Sequence, residues 1–164
     1  MHILNGKYTD ENENYRCFVE LQGGEPYILL NLEHYFANNK KNESHCDLLY
    51  IIYQINDKKW RAFLIELKDI HEKNFLSDKK SQKTFRKRII QKFENSANKL
   101  NTEILNFLNL KRRNTRVIAL LVVPSEINAL VKRLGILDMN KKKNSNIDEW
   151  KISSCNTPNN LWSG

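Results

Sequence analysis

Apolar and polar positions along this chain follow two different periods, and the elements can be read from where one gives way to the other. Asp47 to Gln54 and Lys59 to Lys68 are apolar, partly β-branched runs separated by Asn56-Asp57-Lys58, the pattern of two antiparallel strands joined by a tight turn. Leu48, Tyr50 and Ile52 alternate with Leu49, Ile51 and Tyr53, so both faces of the first strand carry large apolar groups. Strands of that kind need cover on both faces, which predicts an α/β sandwich.

Over Ser81 to Asn109 the period changes to that of a helix. Phe85, Ile89, Phe93, Ala97, Leu100, Ile104 and Phe107 recur every three or four residues as one stripe, with Ser77 or Ser81 as the expected cap. Arg116 to Val123 reads as a buried strand ended by Pro124. Ser125 to Leu134 follows as a shorter amphipathic helix, with Ile127, Leu130, Val131 and Leu134 inward and Gly135 as its stop. Strand, helix, strand, helix in succession predicts parallel pairing through a crossover.

Upstream, Tyr15 to Leu21 has strand composition, and the Gln22-Gly23-Gly24-Glu25 turn after it suggests a hairpin. Tyr27 to Phe36 fits either a strand or a helix, because Leu29, Leu32 and Phe36 have helical spacing while its start is continuously apolar. Asn38 to Ser44 is a polar surface loop. Downstream, Lys141-Lys142-Lys143 opens a polar stretch, Glu149 to Ser153 reads as a last edge strand, and Asn156 to Gly164 has the composition of a loose end.

The length of 164 residues suits one domain over residues 1–164, with neither a repeat nor a linker. Twenty-seven Lys and Arg against 19 Asp and Glu give a net charge of +8, which attracts polyanions and makes nucleic acid the natural partner. Cys17, Cys46 and Cys155 are odd in number and far apart, which argues against a disulfide framework or a zinc knuckle and for a reducing, cytoplasmic setting. His45 and Cys46 flank Asp47, but neighbours on a strand point to opposite faces, so both are expected to serve packing or a loop. The start has no signal-peptide pattern, and Val117 to Val123 is too short an apolar run to cross a bilayer. No membrane partner is expected.

The candidate chemistry sits at the open end of the central hairpin. With Ile55 opposite Trp60, Asp47 falls opposite Lys68 and Leu49 opposite Glu66, so Asp47, Glu66 and Lys68 project from one face. A slip of one residue would send Asp47 to the other face. Two converging carboxylates repel unless a cation neutralises them, and a small hard dication such as magnesium takes oxygen ligands of this kind. An ammonium group beside them orients a metal-activated water or offsets charge on a phosphate. The competing reading is a solvent-facing cross-strand salt bridge, but Phe63, Leu64, Ile65 and Leu67 leave little room for a solvated face.

These residues, His45-Cys46-Asp47 followed by Ile65-Glu66-Leu67-Lys68, resemble the motif of the PD-(D/E)XK superfamily. That superfamily includes type II restriction endonucleases, archaeal Holliday-junction resolvases and RecB-type exonuclease domains. The likeness covers residues 45–134 as an order of elements and three residues as motif identity. It implies a restriction-endonuclease-like three-layer sandwich, with a mixed β-sheet flanked by helices. It further implies that Asp47 and Glu66 bind Mg2+ or Mn2+ with the carbonyl of Leu67, and that Lys68 assists phosphodiester hydrolysis.

Cys46 stands where the motif proline often is. Many members carry a further acid on an N-terminal helix, for which Glu33 is the preferred candidate over Glu20 and Glu25, and Gln91 is an accessory candidate by analogy.

Between Lys79 and Lys92 stand seven basic residues and no acidic one. Of these, Lys80, Lys83 and Lys87 share the helix face opposite the apolar stripe and are the expected nucleic-acid contacts. Lys111-Arg112-Arg113 forms a second basic cluster. No recognition helix or target-reading module is present, which favours structure-guided or nonspecific cleavage. The expected function is a magnesium-dependent nuclease, acting on DNA rather than RNA in repair, recombination or defence. Cutting both strands would suit a homodimer. The competing functions are an inactive nucleic-acid-binding module of the same fold and a protein-interaction subunit.

Overall fold

The computed structural model describes residues 6–9, 18–21, 27–36, 43–68, 78–133, 135 and 146–155. Five strands form one mixed sheet in sequence order: β3 (Tyr27–Asn31), β4 (Leu48–Gln54), β5 (Lys59–Leu67), β6 (Thr115–Val123) and β7 (Glu149–Ser154). The β3–β4 and β4–β5 pairs are antiparallel, whereas β5–β6 and β6–β7 are parallel. β1 (Gly6–Thr9) and β2 (Phe18–Leu21) pair with each other in a separate antiparallel ribbon. Of the strand expected over Tyr15 to Leu21, Phe18–Leu21 is present and pairs backward to β1, and β3 pairs with β4; residues 15–17 and the Gln22–Glu25 turn lie outside the described residues.

Tyr27 to Phe36 proves to be both alternatives in turn: strand β3 runs straight into the short helix α1 (Leu32–Phe36). The central hairpin keeps its faces but changes its partners. Its four-residue loop is Ile55–Lys58, closed by Lys58 N–H donating to Ile55 O and by Lys58 at φ 51°, so Tyr53 pairs with Trp60 and Leu49 with Leu64. Against the expected register this is an offset of two residues, which places Asn56-Asp57 at the corner of the turn. An even offset leaves every side chain on its original face.

Helix α2 (Lys79–Lys99) crosses back from the end of β5 and continues through a π-helical segment, Leu100–Ile104, into α3 (Leu105–Phe107). Asp78, not a serine, caps α2 by accepting from Lys80 N–H and Ser81 N–H; Ser81 Oγ donates to the same carboxylate, and Ser77 lies outside the described residues. An Asp78→Ala variant is expected to lower the denaturant midpoint, because the first-turn N–H groups lose their side-chain acceptor. A midpoint unchanged within error would show that the first turn is held by other contacts.

The stripe of α2 packs as expected through Ile89, Phe93, Ala97, Leu100 and Ile104, with Phe85 at its margin. Phe107 does not join it and is 85% exposed. The π segment explains this, because an i→i+5 turn shifts the helical phase and brings Leu105 inward in its place.

Helix α4 (Ser125–Arg133) packs Ile127 and Val131 onto the same core, which also holds Leu32 and Phe36 of α1 together with Leu49, Leu64, Ala119 and Leu121 of the sheet. All the described helices that meet the sheet therefore lie on one face. Two crossovers of the same hand that step in one direction, β5 to β6 to β7, put their helices on one side. On the other face, Leu48, Tyr50, Phe63, Ile65, Leu67, Ile118 and Leu120 are buried in a second cluster, on which no described helix packs. The described residues are thus α/β with a five-stranded mixed sheet, and the expected third layer is not among them.

Cys155 is disulfide-bonded, against the expectation of three separate thiols, while Cys46 is a free, buried thiol. The cysteine count alone missed this because the pairing depends on where the end of β7 comes to lie. The argument from cysteines for a reducing compartment therefore loses its support. No helix among the described residues is long and apolar enough to cross a membrane.

Candidate active site

The end of the sheet where β4 begins and β5 finishes collects four charged side chains on the face that carries α2. Asp47 directly precedes β4, and continuing the observed register by one step puts it opposite Glu66. Asp47 and Glu66 belong to the same alternation as Leu49 and Leu64, which points them at the helix.

The backbone there is tied on both sides. Leu32 N–H donates to Asp47 O at 3.0 Å, and Lys68 N–H donates to Val122 O at 2.9 Å. Helix α2 clamps the approach to Asp47: Ser96 Oγ accepts from Cys46 N–H at 2.8 Å, and Asn95 Nδ2 donates to Ser44 O at 3.1 Å.

Glu66 is completely buried. Its Oε1 lies 2.7 Å from Lys68 Nζ and 2.8 Å from Lys92 Nζ as ionic contacts, and neither of its oxygens has a hydrogen bond of good geometry among the described residues. Lys92 Nζ also lies 3.7 Å from Asp47 Oδ1, and Asp47 Oδ2 accepts from Leu67 N–H at 2.6 Å. Two carboxylates and two ammonium groups thus form one cluster. Asp47, Lys68 and Lys92 retain side-chain exposures of 16%, 28% and 17%, which open the cluster to solvent on one side.

Burial, and next the charge of Glu66, push the Asp47 carboxyl up to about 7, against the pull of the Leu67 N–H, Lys92 and Lys68. The folded protein therefore holds this proton to higher pH than the unfolded chain does. The stability contributed by Asp47 is full in acid, below its ordinary carboxylate range, and is lost as pH rises toward 7. Chelator-treated protein is expected to melt lower at pH 8 than at pH 5. Asp47→Asn should flatten that dependence and melt several degrees higher at pH 8, at roughly 2–4 °C per kcal/mol for a chain of this size. A parent whose melting is flat over that range, or one matched by the variant, would contradict the assignment.

The structure brings Asp47, Glu66 and Lys68 together, with Leu67 between them. It also adds Lys92, which the sequence reading counted only within a basic run. The signal was present: Lys92 stands three residues after Ile89 and four before Ser96, both buried, so it lies on the margin of the inward face. Lys80, Lys83 and Lys87 are exposed on the outer face of α2. By helical spacing, Arg88, one turn before Lys92, is the exposed base nearest the cluster.

Gln91 does not enter the site; its side chain is exposed and donates to Asn95 Oδ1. Glu33 lies on α1 and Glu20 on β2, with no side-chain placement described, and Glu25 lies outside the described residues. His45 packs its ring against Phe36 at 4.3 Å, and burial lowers its pKa. Burial pushes the Cys46 thiol well up. Both are packing residues, as expected.

Among the described residues, no group of three or more His, Cys, Asp or Glu side chains is placed to hold a metal. A dication here would rest on Asp47 and Glu66, with water, substrate phosphate or a backbone carbonyl completing the shell, an arrangement ordinary for magnesium. Glu66 Oε2, a hard oxygen in a buried carboxylate with no hydrogen-bond partner among the described residues, fits that demand. Comparison with models of known families, with curated proteins and with solved structures found no match.

Proposed function

We propose that the protein is a metal-dependent nuclease that hydrolyses phosphodiester bonds, in DNA rather than RNA, on a restriction-endonuclease-like framework. One observation carries this reading: neighbouring strands deliver two carboxylates, one wholly buried and with no hydrogen bond among the described residues, to a partly solvent-exposed cluster that also holds two ammonium groups. Asp47 and Glu66 would hold Mg2+ or Mn2+, with the carbonyl of Leu67 as the further ligand. When bound, the ion would polarise a phosphate oxygen and lower the pKa of a water. Lys68, the more exposed amine, would neutralise charge growing on the phosphate or orient the attacking water. Lys92 would hold the Glu66 carboxylate in place, and Arg88 with Lys80, Lys83 and Lys87 would supply positive field for the polynucleotide.

The test is incubation of the chain with linear, circular and branched DNA, and with RNA, in Mg2+, in Mn2+ and in chelator. Cleavage is expected with either ion and none in chelator; cutting that persists in Asp47→Ala and Lys68→Ala alike would overturn the assignment.

A second reading is favoured by the position of Lys92, whose ammonium already neutralises Glu66 and approaches Asp47. A catalytically inactive nucleic-acid-binding module could keep the cluster as a purely ionic contact. It would bind DNA without metal and with unchanged affinity in Glu66→Ala, and calorimetric titration would detect no Mn2+ binding.

A further inference from the structure

The opposite end of the sheet carries a second concentration of charge. There β5 and β6 begin side by side, and a hollow of about 490 Å3 is lined by Lys59, Arg61, Arg112, Arg113 and Arg116 with Asp57 and Asp148. Its remaining lining residues, Asn114 and Thr115, are polar too, so every residue that lines it carries a polar or charged group. A neighbouring hollow of about 570 Å3 shares Arg112 and Arg113 and adds Lys111. The basic surface is therefore a track rather than a single socket.

Part of this charge is held rigidly. Arg112 donates to Thr115 O at 2.7 Å and to Asn146 O at 3.1 Å, and it pairs with Asp148 at 2.8 Å. Arg61 pairs with Asp57 at 3.2 Å, and Arg116 with Glu149 at 2.9 Å. Parallel pairing makes Arg61 and Arg116 register partners, which sets like charges side by side, an unfavourable arrangement without anions nearby. Three carboxylates face six cations, and Lys59, Lys111 and Arg113 form no ion pair with any described residue.

We propose that this end of the sheet is a phosphate-backbone binding track for a polynucleotide, separate from the Asp47–Glu66 cluster. Guanidinium forks held in place by carboxylates and carbonyls donate to phosphate oxygens without further ordering, and Lys59 and Arg113, with no ion pair to any described residue, supply the attraction. Two adjoining hollows that share Arg112 and Arg113, the second lined also by Leu105 and Leu110, suit successive phosphates of a chain better than one small anion. Seven residues of extended strand, roughly 23 Å, separate Lys59 from Glu66, so the track can be altered without touching the carboxylates. The inference does not depend on catalysis and would hold for an inactive binding module as well.

The test is fluorescence anisotropy of a labelled 20-base-pair DNA duplex in chelator at several salt concentrations. It compares the whole chain with the Lys59→Ala/Arg113→Ala variant, whose substituted side chains are exposed, after matching their melting temperatures. Loss of about two phosphate contacts is expected to weaken binding about tenfold at 0.1 M salt and to lower the salt slope by about 2. Lys59→Arg/Arg113→Lys should restore both. Unchanged affinity and slope would overturn the proposal. So would displacement of the duplex by micromolar tripolyphosphate, which would mark a small-phosphate site, or equal loss of binding to poly-glutamate, which would mark an acidic protein partner. Because metal is absent throughout, failure here leaves the nuclease reading standing, and failure of cleavage leaves this one standing.

Discussion

Glu66→Gln is expected to lower metal-dependent DNA cleavage by about a thousandfold or more, equivalent to roughly 4 kcal/mol of transition-state stabilisation. The amide keeps the size of the carboxylate but removes the charge that a dication requires, at the one position of the cluster with no exposure at all. Asp47→Asn should fall by a similar factor. Lys68→Ala should fall less, because Lys92 leaves a second ammonium within 2.8 Å of the same oxygen. The measurement is single-turnover cleavage of a duplex at saturating Mg2+, with binding followed separately in chelator. If Glu66→Gln cut at more than a tenth of the parent rate, the buried carboxylate would not be a metal ligand and the reading would fail at its centre.

The second large effect concerns stability rather than rate. Lys92→Met is expected to destabilise the metal-free protein by about 3 kcal/mol, since a wholly buried carboxylate loses one of its two countercharges. Methionine preserves much of the packing of the lysine stem, so the loss reports on charge. Adding Glu66→Gln should recover most of that cost, and the coupling in the double-mutant cycle should exceed 1 kcal/mol in chelator, as expected for residues in direct contact. Mn2+ should raise the melting temperature of Lys92→Met more than that of the parent, because a dication held by Asp47 and Glu66 can supply the missing positive charge. Additive single mutants would show that the 2.8 Å contact carries no net energy. Equal response to Mn2+ in both proteins would show that ion and amine do not act on the same carboxylates.

Much of this architecture was legible without coordinates, for a reason that differs element by element. The β4–β5 hairpin and the core stripe of α2 announce themselves because side chains alternate with period two along a strand and recur near every 3.6 residues around a helix. The common face of Asp47, Glu66 and Lys68 follows from the same parity. It survived a two-residue error in register because parity is indifferent to even shifts. Phe107 is the counterexample inside a helix: the extrapolated stripe turns it inward, and a π-helical segment, a backbone event with no clear mark in the pattern, turns it out.

What only the tertiary structure decided were relations between segments distant along the chain. β2 pairs back with β1 rather than forward across its glycine turn, Cys155 is disulfide-bonded, and the described helices share one face of the sheet. Lys92 comes from α2 to complete an ionic cluster that the hairpin begins, and residues from the starts of β5 and β6 and from the Arg112–Asn114 turn before β6 gather into a basic surface at the far end. Local chemistry determines which way a side chain faces along its own strand or helix, and the sequence by itself was enough for that. Which charged groups finally meet depends on how the strands pair and where the helix is laid down, through contacts that no local period encodes.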